Sequence, residues 1–201
     1  MSDILKSAPA TVAIAAITAL VSLAITLLGL EPHAALYAGF MPARASLGFD
    51  GDVAGLVPTI LTPFSSALVH GGFAHLAFNL VTLIYCGIAT ERVLWAKGIF
   101  VLYLVGAYAA CVAQWAVEPG SSIPMIGASG AASAVVGAYA LLYGRQRTKD
   151  LGPIPAWLLH VLWLLVAWTL LNVAMGVLST QAGTPIAAAA HVGGFLAGLA
   201  L

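Results

Sequence analysis

The sequence predicts an all-α polytopic membrane protein, one domain over 1–201 that crosses the bilayer six times with both termini in the cytoplasm. Three observations carry this. The chain is 62% hydrophobic and 7% charged, with a mean hydropathy of +1.04, whereas an average soluble domain is about 45–50% apolar and about 25% charged. Six apolar stretches, each near the ~20 residues that span ~30 Å of hydrocarbon, contain no Asp, Glu, Lys or Arg. The basic residues between them fall almost entirely on one side. This composition excludes disorder, which needs low hydrophobicity. Seven basic residues balance seven acidic ones, so nucleic acid is not an expected partner.

The first span, 10–30, is too long for a signal-peptide core and is flanked only by Lys6, so it reads as a retained helix. The loop 31–66 carries Phe40, Met41, Leu47 and Phe49, and is expected to rest on or dip into the outer leaflet. The second span, 67–90, ends at Glu91-Arg92, a boundary cluster, and the third, 98–117, follows Lys97. The fourth, 126–143, ends before Arg145, Arg147 and Lys149. After the fifth, 156–178, the short polar segment 179–184 is either a lid or a turn. The sixth, 185–201, is short and leaves open whether the native chain continues. With alternating spans, Lys6, Arg92, Lys97, Arg145, Arg147 and Lys149 share one side and Arg44 stands alone on the other, with Glu31, Asp50, Asp52 and Glu118. Basic loops mark the cytoplasm. No internal repeat suggests an inverted-repeat transporter. Cys86 and Cys111 lie in apolar runs and read as packing residues.

Polar groups inside hydrocarbon are costly and usually face an interior or a wet cavity. At ~1.5 Å per residue, Ser129 stands roughly 24 Å above Arg145, and His75 stands at the same height above Glu91. His191, six residues beyond Pro185, lies roughly 9 Å below the outer edge. Three spans thus bring a hydroxyl and two imidazoles to one layer in the outer third of the membrane. His75 and Asn79, at i and i+4, share a helical face. Gly127-Ala128-Ser129-Gly130 flanks the serine with glycines, which lets backbone amides approach a ligand, and it opens a helix whose first N–H groups are unpaired. Gly130, Ala134 and Gly137 keep the fourth helix thin, and Gly194 and Gly198 do so on the sixth. Small faces of this kind let membrane helices pack closely, which would bring Ser129 to His191.

A serine hydroxyl becomes a nucleophile when a base takes its proton, and a neutral histidine does this near pH 7. With no carboxylate in any span, a Ser129–His191 dyad is expected rather than a triad, with His191 oriented by packing. Donors from His75, Asn79 and the Ser129 amide suit an oxyanion. Plainer readings stand beside this one. A glycine-flanked serine often serves as packing glue, and a lone intramembrane histidine often tethers helices. A zinc site from His70, His75 and His191 lacks any acidic ligand and any HExxH helix, so no metal is expected. Asn172 reads as interhelical glue, and His33 and His160 as solvated or interfacial.

Three segments resemble motifs of the rhomboid intramembrane serine proteases: His70-Gly71-Gly72-Phe73-Ala74-His75 through Asn79, Gly127-Ala128-Ser129-Gly130-Ala131 with Gly137-Ala138-Tyr139, and Ala190-His191-Val192-Gly193-Gly194 through Gly198. Glu91-Arg92 resembles the charged pair that ends the family's second helix. The resemblance covers about residue 62 to the end. It implies Ser129 as nucleophile, His191 as general base, His75 and Asn79 as oxyanion donors, and His70 as shaping the cavity and retaining water. It implies hydrolysis of peptide bonds in or near the transmembrane segments of substrate proteins within the lipid bilayer, with no cofactor. Two positions depart from the pattern. Leu61 and Thr62 stand where many members have Trp-Arg, and Ser133 stands where some have a tyrosine that stacks on the histidine. The expected location is the bacterial cytoplasmic membrane. Water is expected to enter from the outer face between the second, fourth and sixth helices, and substrate to enter sideways near the fifth helix. The rival readings are a catalytically silent escort of membrane proteins, a small-molecule transporter, and a specialised member that processes C-terminal sorting tails.

Overall fold

The computed structural model describes residues 7–48, 53–144, 150–181 and 186–201. The helices are α1 (Pro9–Leu27), α2 (Glu31–Ala38), α3 (Pro42–Ser46), α4 (Thr62–Ser66), α5 (Phe73–Val117), α6 (Ser129–Tyr143), α7 (Ala156–Gln181) and α8 (Ala188–Ala200), with a 3-10 turn at Thr59–Leu61 before α4. Among the described residues there is no strand, so the fold is all-helical. Pro9–Leu27, Phe73–Val117 and Ala156–Val177 are long and apolar enough to cross a membrane, and α6 and α8 are shorter apolar helices. Leu20, Val81, Trp163 and Leu170 are all exposed, the outward apolar surface of helices solvated by lipid tails rather than water.

The 45-residue α5 is two helices joined at Trp95, where φ is 64° and ψ is 169°. A bulky residue rarely adopts positive φ, and a sharp break there turns the chain without a separate loop. The Trp95 ring is 79% exposed, as suits an aromatic side chain at a membrane–water interface.

Several helix limits differ from the hydropathy reading. α5 begins at Phe73 rather than 67, because Gly72 adopts φ 119° ahead of it. Residues 67–69 continue the apolar run, but Leu68 and Val69 close turns after α4 by donating to the Ser65 and Ser66 carbonyls. His70 therefore precedes the helix. Likewise α6 begins at Ser129, after Gly127 at φ 109°. Of the segment 179–184, residues 179–181 end α7, whereas 182–184 lie outside the described residues, as do Lys6, Phe49, Asp50, Asp52, Arg145, Arg147 and Lys149.

The first loop is folded against the segment that precedes α6. Phe40 and Met41 are buried, and Phe40 pairs with Met125 through two backbone hydrogen bonds of 3.0 and 2.8 Å. Leu47 does face outward. Arg44 is buried too, and its Nη2 donates to the Val57 carbonyl at 3.0 Å. The one basic residue in the sequence of that loop thus binds backbone inside it. Thr62 is fully buried and donates to the Thr59 carbonyl at 2.6 Å.

Glu91 does more than mark a boundary. It is 3% exposed. Its carboxylate accepts from the Ala10 and Thr11 N–H groups at 2.9 and 2.7 Å and from the Thr11 hydroxyl at 2.7 Å. These amides belong to the first turn of α1, where helical N–H groups lack partners and the helix dipole favours negative charge. His160 also departs from expectation: it is buried and lies against Gly144, whereas His33 is exposed.

The centre is formed by α5, α6 and α8, with α1 on the flank of α5. Leu83, Ile99, Leu102, Ala131 and Val135 fill it, and Cys86 and Cys111 are free buried thiols. α6 and α8 meet backbone to backbone. A Cβ on Gly194 would collide with the Gly130 carbonyl, one on Gly198 with the Ala134 carbonyl, and one on Gly137 with the Phe195 carbonyl. Among the described residues, α7 packs mainly on α8.

Candidate active site

The site is assembled on the turn that leads into α6. The Gly127 N–H donates to the Ser66 carbonyl at 2.9 Å, and the Ala128 N–H to His70 Nε2 at 3.2 Å. His70 Nε2 is thus an acceptor, so the neutral ring carries its proton on Nδ1 and donates it to Ser22 Oγ at 2.8 Å. Ser22 in turn donates to the Leu68 carbonyl at 2.8 Å. His70, fully buried, stands behind the serine turn and ties it to α1.

His75, half-buried, meets His70 edge-on at a centroid distance of 5.0 Å. Its Nδ1 accepts from the Gly71 N–H at 3.3 Å, which puts the proton on Nε2. The Nε2 edge lies against Gly127, where a Cβ would stand 2.7 Å from it. Glycine is therefore needed at 127 twice over, for its positive φ and for the ring beside it. Asn79 is buried one turn along the same face, and its Nδ2 donates to the His75 carbonyl at 2.9 Å.

Ser129 opens α6. The first intrahelical bond runs from the Ala132 N–H to the Ala128 carbonyl at 2.8 Å, so the Ser129 amide has no helical partner. Ser129 Oγ lies 2.7 Å from His191 Nε2. The close α6–α8 approach through Gly130, Gly137, Gly194 and Gly198 sets that separation.

His191 is not oriented by packing alone. Its Nδ1 lies 2.7 Å from Asn172 Oδ1 on α7. Asn172 Nδ2 donates to the Trp168 carbonyl at 2.9 Å, and Trp168 Nε1 donates to the His191 carbonyl at 3.1 Å. The Trp168 ring also stacks on Phe195 at 4.9 Å. Asn172 does join two helices, as expected, but by way of the imidazole. Ser133 turns away from the ring and donates to the Ser129 carbonyl at 2.7 Å.

The sequence reading missed Trp168 and Ser22, and it named Asn172 without its partner. A signal for Asn172 was present: it precedes the outer end of its span by six residues, roughly 9 Å, the same depth as His191. Among the described residues, no group of three His, Cys, Asp or Glu side chains is placed to hold a metal ion.

The family model described as the rhomboid domain matches residues 57–201. The rhomboid protease GlpG of Pectobacterium atrosepticum is 34% identical over 136 residues, which cover 68% of this chain and 45% of that protein. The match therefore spans less than half of that relative's length.

Proposed function

Because the chain belongs to the rhomboid family, we propose that it is an intramembrane serine endopeptidase that works through Ser129 and His191. The observation that carries this reading is the 2.7 Å contact between Ser129 Oγ and His191 Nε2. As the Ser129 oxygen bonds to the carbonyl carbon of the scissile peptide, its proton passes to His191 Nε2. The carbonyl oxygen becomes an oxyanion. His75 Nε2–H, the second amide hydrogen of Asn79 and the unpaired Ser129 N–H are the donors that would meet it. His191 then gives its proton to the departing amine, leaving an ester on Ser129. Water, deprotonated by the same imidazole, hydrolyses that ester and restores the hydroxyl. No metal or cofactor takes part in this scheme.

The substrates in this reading are membrane proteins cut in or near a transmembrane segment. Six crossings with cytoplasmic termini set the site near the outer face of a bacterial cytoplasmic membrane, where water reaches Ser129 and a substrate helix approaches past α7. His70 shapes the site from behind by holding the Ala128 amide.

Labelling by a serine-directed fluorophosphonate, in detergent and alongside cleavage of a reconstituted membrane substrate, tests the proposal. Wild type should label and cleave, and both Ser129→Ala and His191→Ala should do neither. Labelling that survives Ser129→Ala would overturn it. Asn79→Ala should slow turnover about 10²-fold with unchanged thermal stability, the usual effect of losing one oxyanion donor. An unchanged rate would remove Asn79 from that role.

A further inference from the structure

We infer that Asn172 is the positioning residue for His191, fixing both the tautomer and the aim of the base. The inference rests on the protease reading above. Its first support is the polarity of the amide. Asn172 Nδ2 donates to the Trp168 carbonyl at 2.9 Å, so the oxygen is the atom turned to the imidazole. An oxygen acceptor 2.7 Å from Nδ1 requires a proton on Nδ1. The other tautomer would set two lone pairs against each other. With its proton on Nδ1, neutral His191 presents the Nε2 lone pair to Ser129, as proton removal requires.

The second support is burial. Asn172 is 5% exposed, so water does not compete for the oxygen. Once His191 has taken the serine proton, the Nδ1–H···O contact becomes charge-assisted and shields the imidazolium. A carboxylate would hold that charge more strongly, but burying an ion in hydrocarbon is costly. An amide supplies the acceptor without a resident charge. The third support is the clamp around it. Trp168, one turn before Asn172, holds the His191 carbonyl and stacks on Phe195. Backbone and side chain of residue 191 are therefore both gripped from α7.

The test compares wild type with Asn172→Leu, which keeps the volume and loses the acceptor, and with Asn172→Asp, which as the neutral acid that burial favours keeps an oxygen facing Nδ1 and an O–H for the Trp168 carbonyl. Readouts are kcat and KM on a membrane substrate, the second-order rate of fluorophosphonate labelling, and the 15N shifts of His191 in protein labelled at histidine. Asn172→Leu should lower kcat and the labelling rate about tenfold, with KM unchanged. It should also lose the Nδ1-protonated signature. Asn172→Asp should recover to within about threefold of wild type. A Leu variant that equals wild type in kcat and labelling, or an Asp variant that falls as far as Leu, overturns the inference while leaving the protease reading intact. Wild type that neither labels nor cleaves removes both.

Discussion

α8 is held on its two sides by different means. Toward α6 it is held by the absence of side chains: glycines let carbonyls and Cα atoms touch, and no rotamer is involved. Toward α7 it is held by side chains that make directed bonds, Asn172 to the His191 ring and Trp168 to its carbonyl. The first contact sets a distance, and the second sets an orientation. In the proposed mechanism a base needs both. Distance comes from the packed centre, whereas orientation comes from a helix whose other faces are exposed to lipid.

The comparison breaks most severely on the α6 side. Gly194→Val drives a side chain into the Gly130 carbonyl, and two packed helices cannot absorb it without separating. Cleavage should be lost and the protein destabilised by about 1–3 kcal/mol or more, read from a thermal unfolding midpoint. Activity retained at wild-type level would mean that the glycine face does not set the Ser129–His191 distance. The α7 side should fail more gently. Trp168→Phe keeps the ring on Phe195 and removes one N–H donor, so kcat should fall about threefold with little change in unfolding. A loss as large as that of Gly194→Val would erase the distinction between the two sides.

How much of this was legible in the sequence follows the same division. Distance was legible. Small residues recurring every three or four positions announce a close helix approach, and counting residues from the ends of the apolar spans places Ser129, His75 and His191 at one depth. Orientation was not legible, because an asparagine inside a span announces a hydrogen bond without naming its partner. Asn172 could as well have met a backbone carbonyl on any neighbour. The limits of α5 and the interior of the first loop were hidden for another reason. Hydropathy at residues 67–69 matches that of the helix beyond, while the local backbone obeys Gly72. Likewise, Arg44 counts as a loop charge until the folded loop supplies a carbonyl for it.

The smallest expected effect lies away from both contacts. Glu91→Gln keeps one acceptor oxygen at the start of α1, sets an NH2 where the second oxygen accepts, and removes the charge that complements the helix dipole, so stability should fall by about 1–2 kcal/mol and kcat should stay put. A large loss of kcat would tie α1 to the site more tightly than its place on the flank of α5 suggests.

The central claim is that the Ser129 hydroxyl is activated by the imidazole beside it. Peptide mass mapping of the wild-type protein after fluorophosphonate treatment reads this most directly. A single phosphonyl adduct is expected on Ser129, absent from protein carrying His191→Ala. An adduct on any other residue, or one on Ser129 that forms equally fast without the histidine, would contradict it.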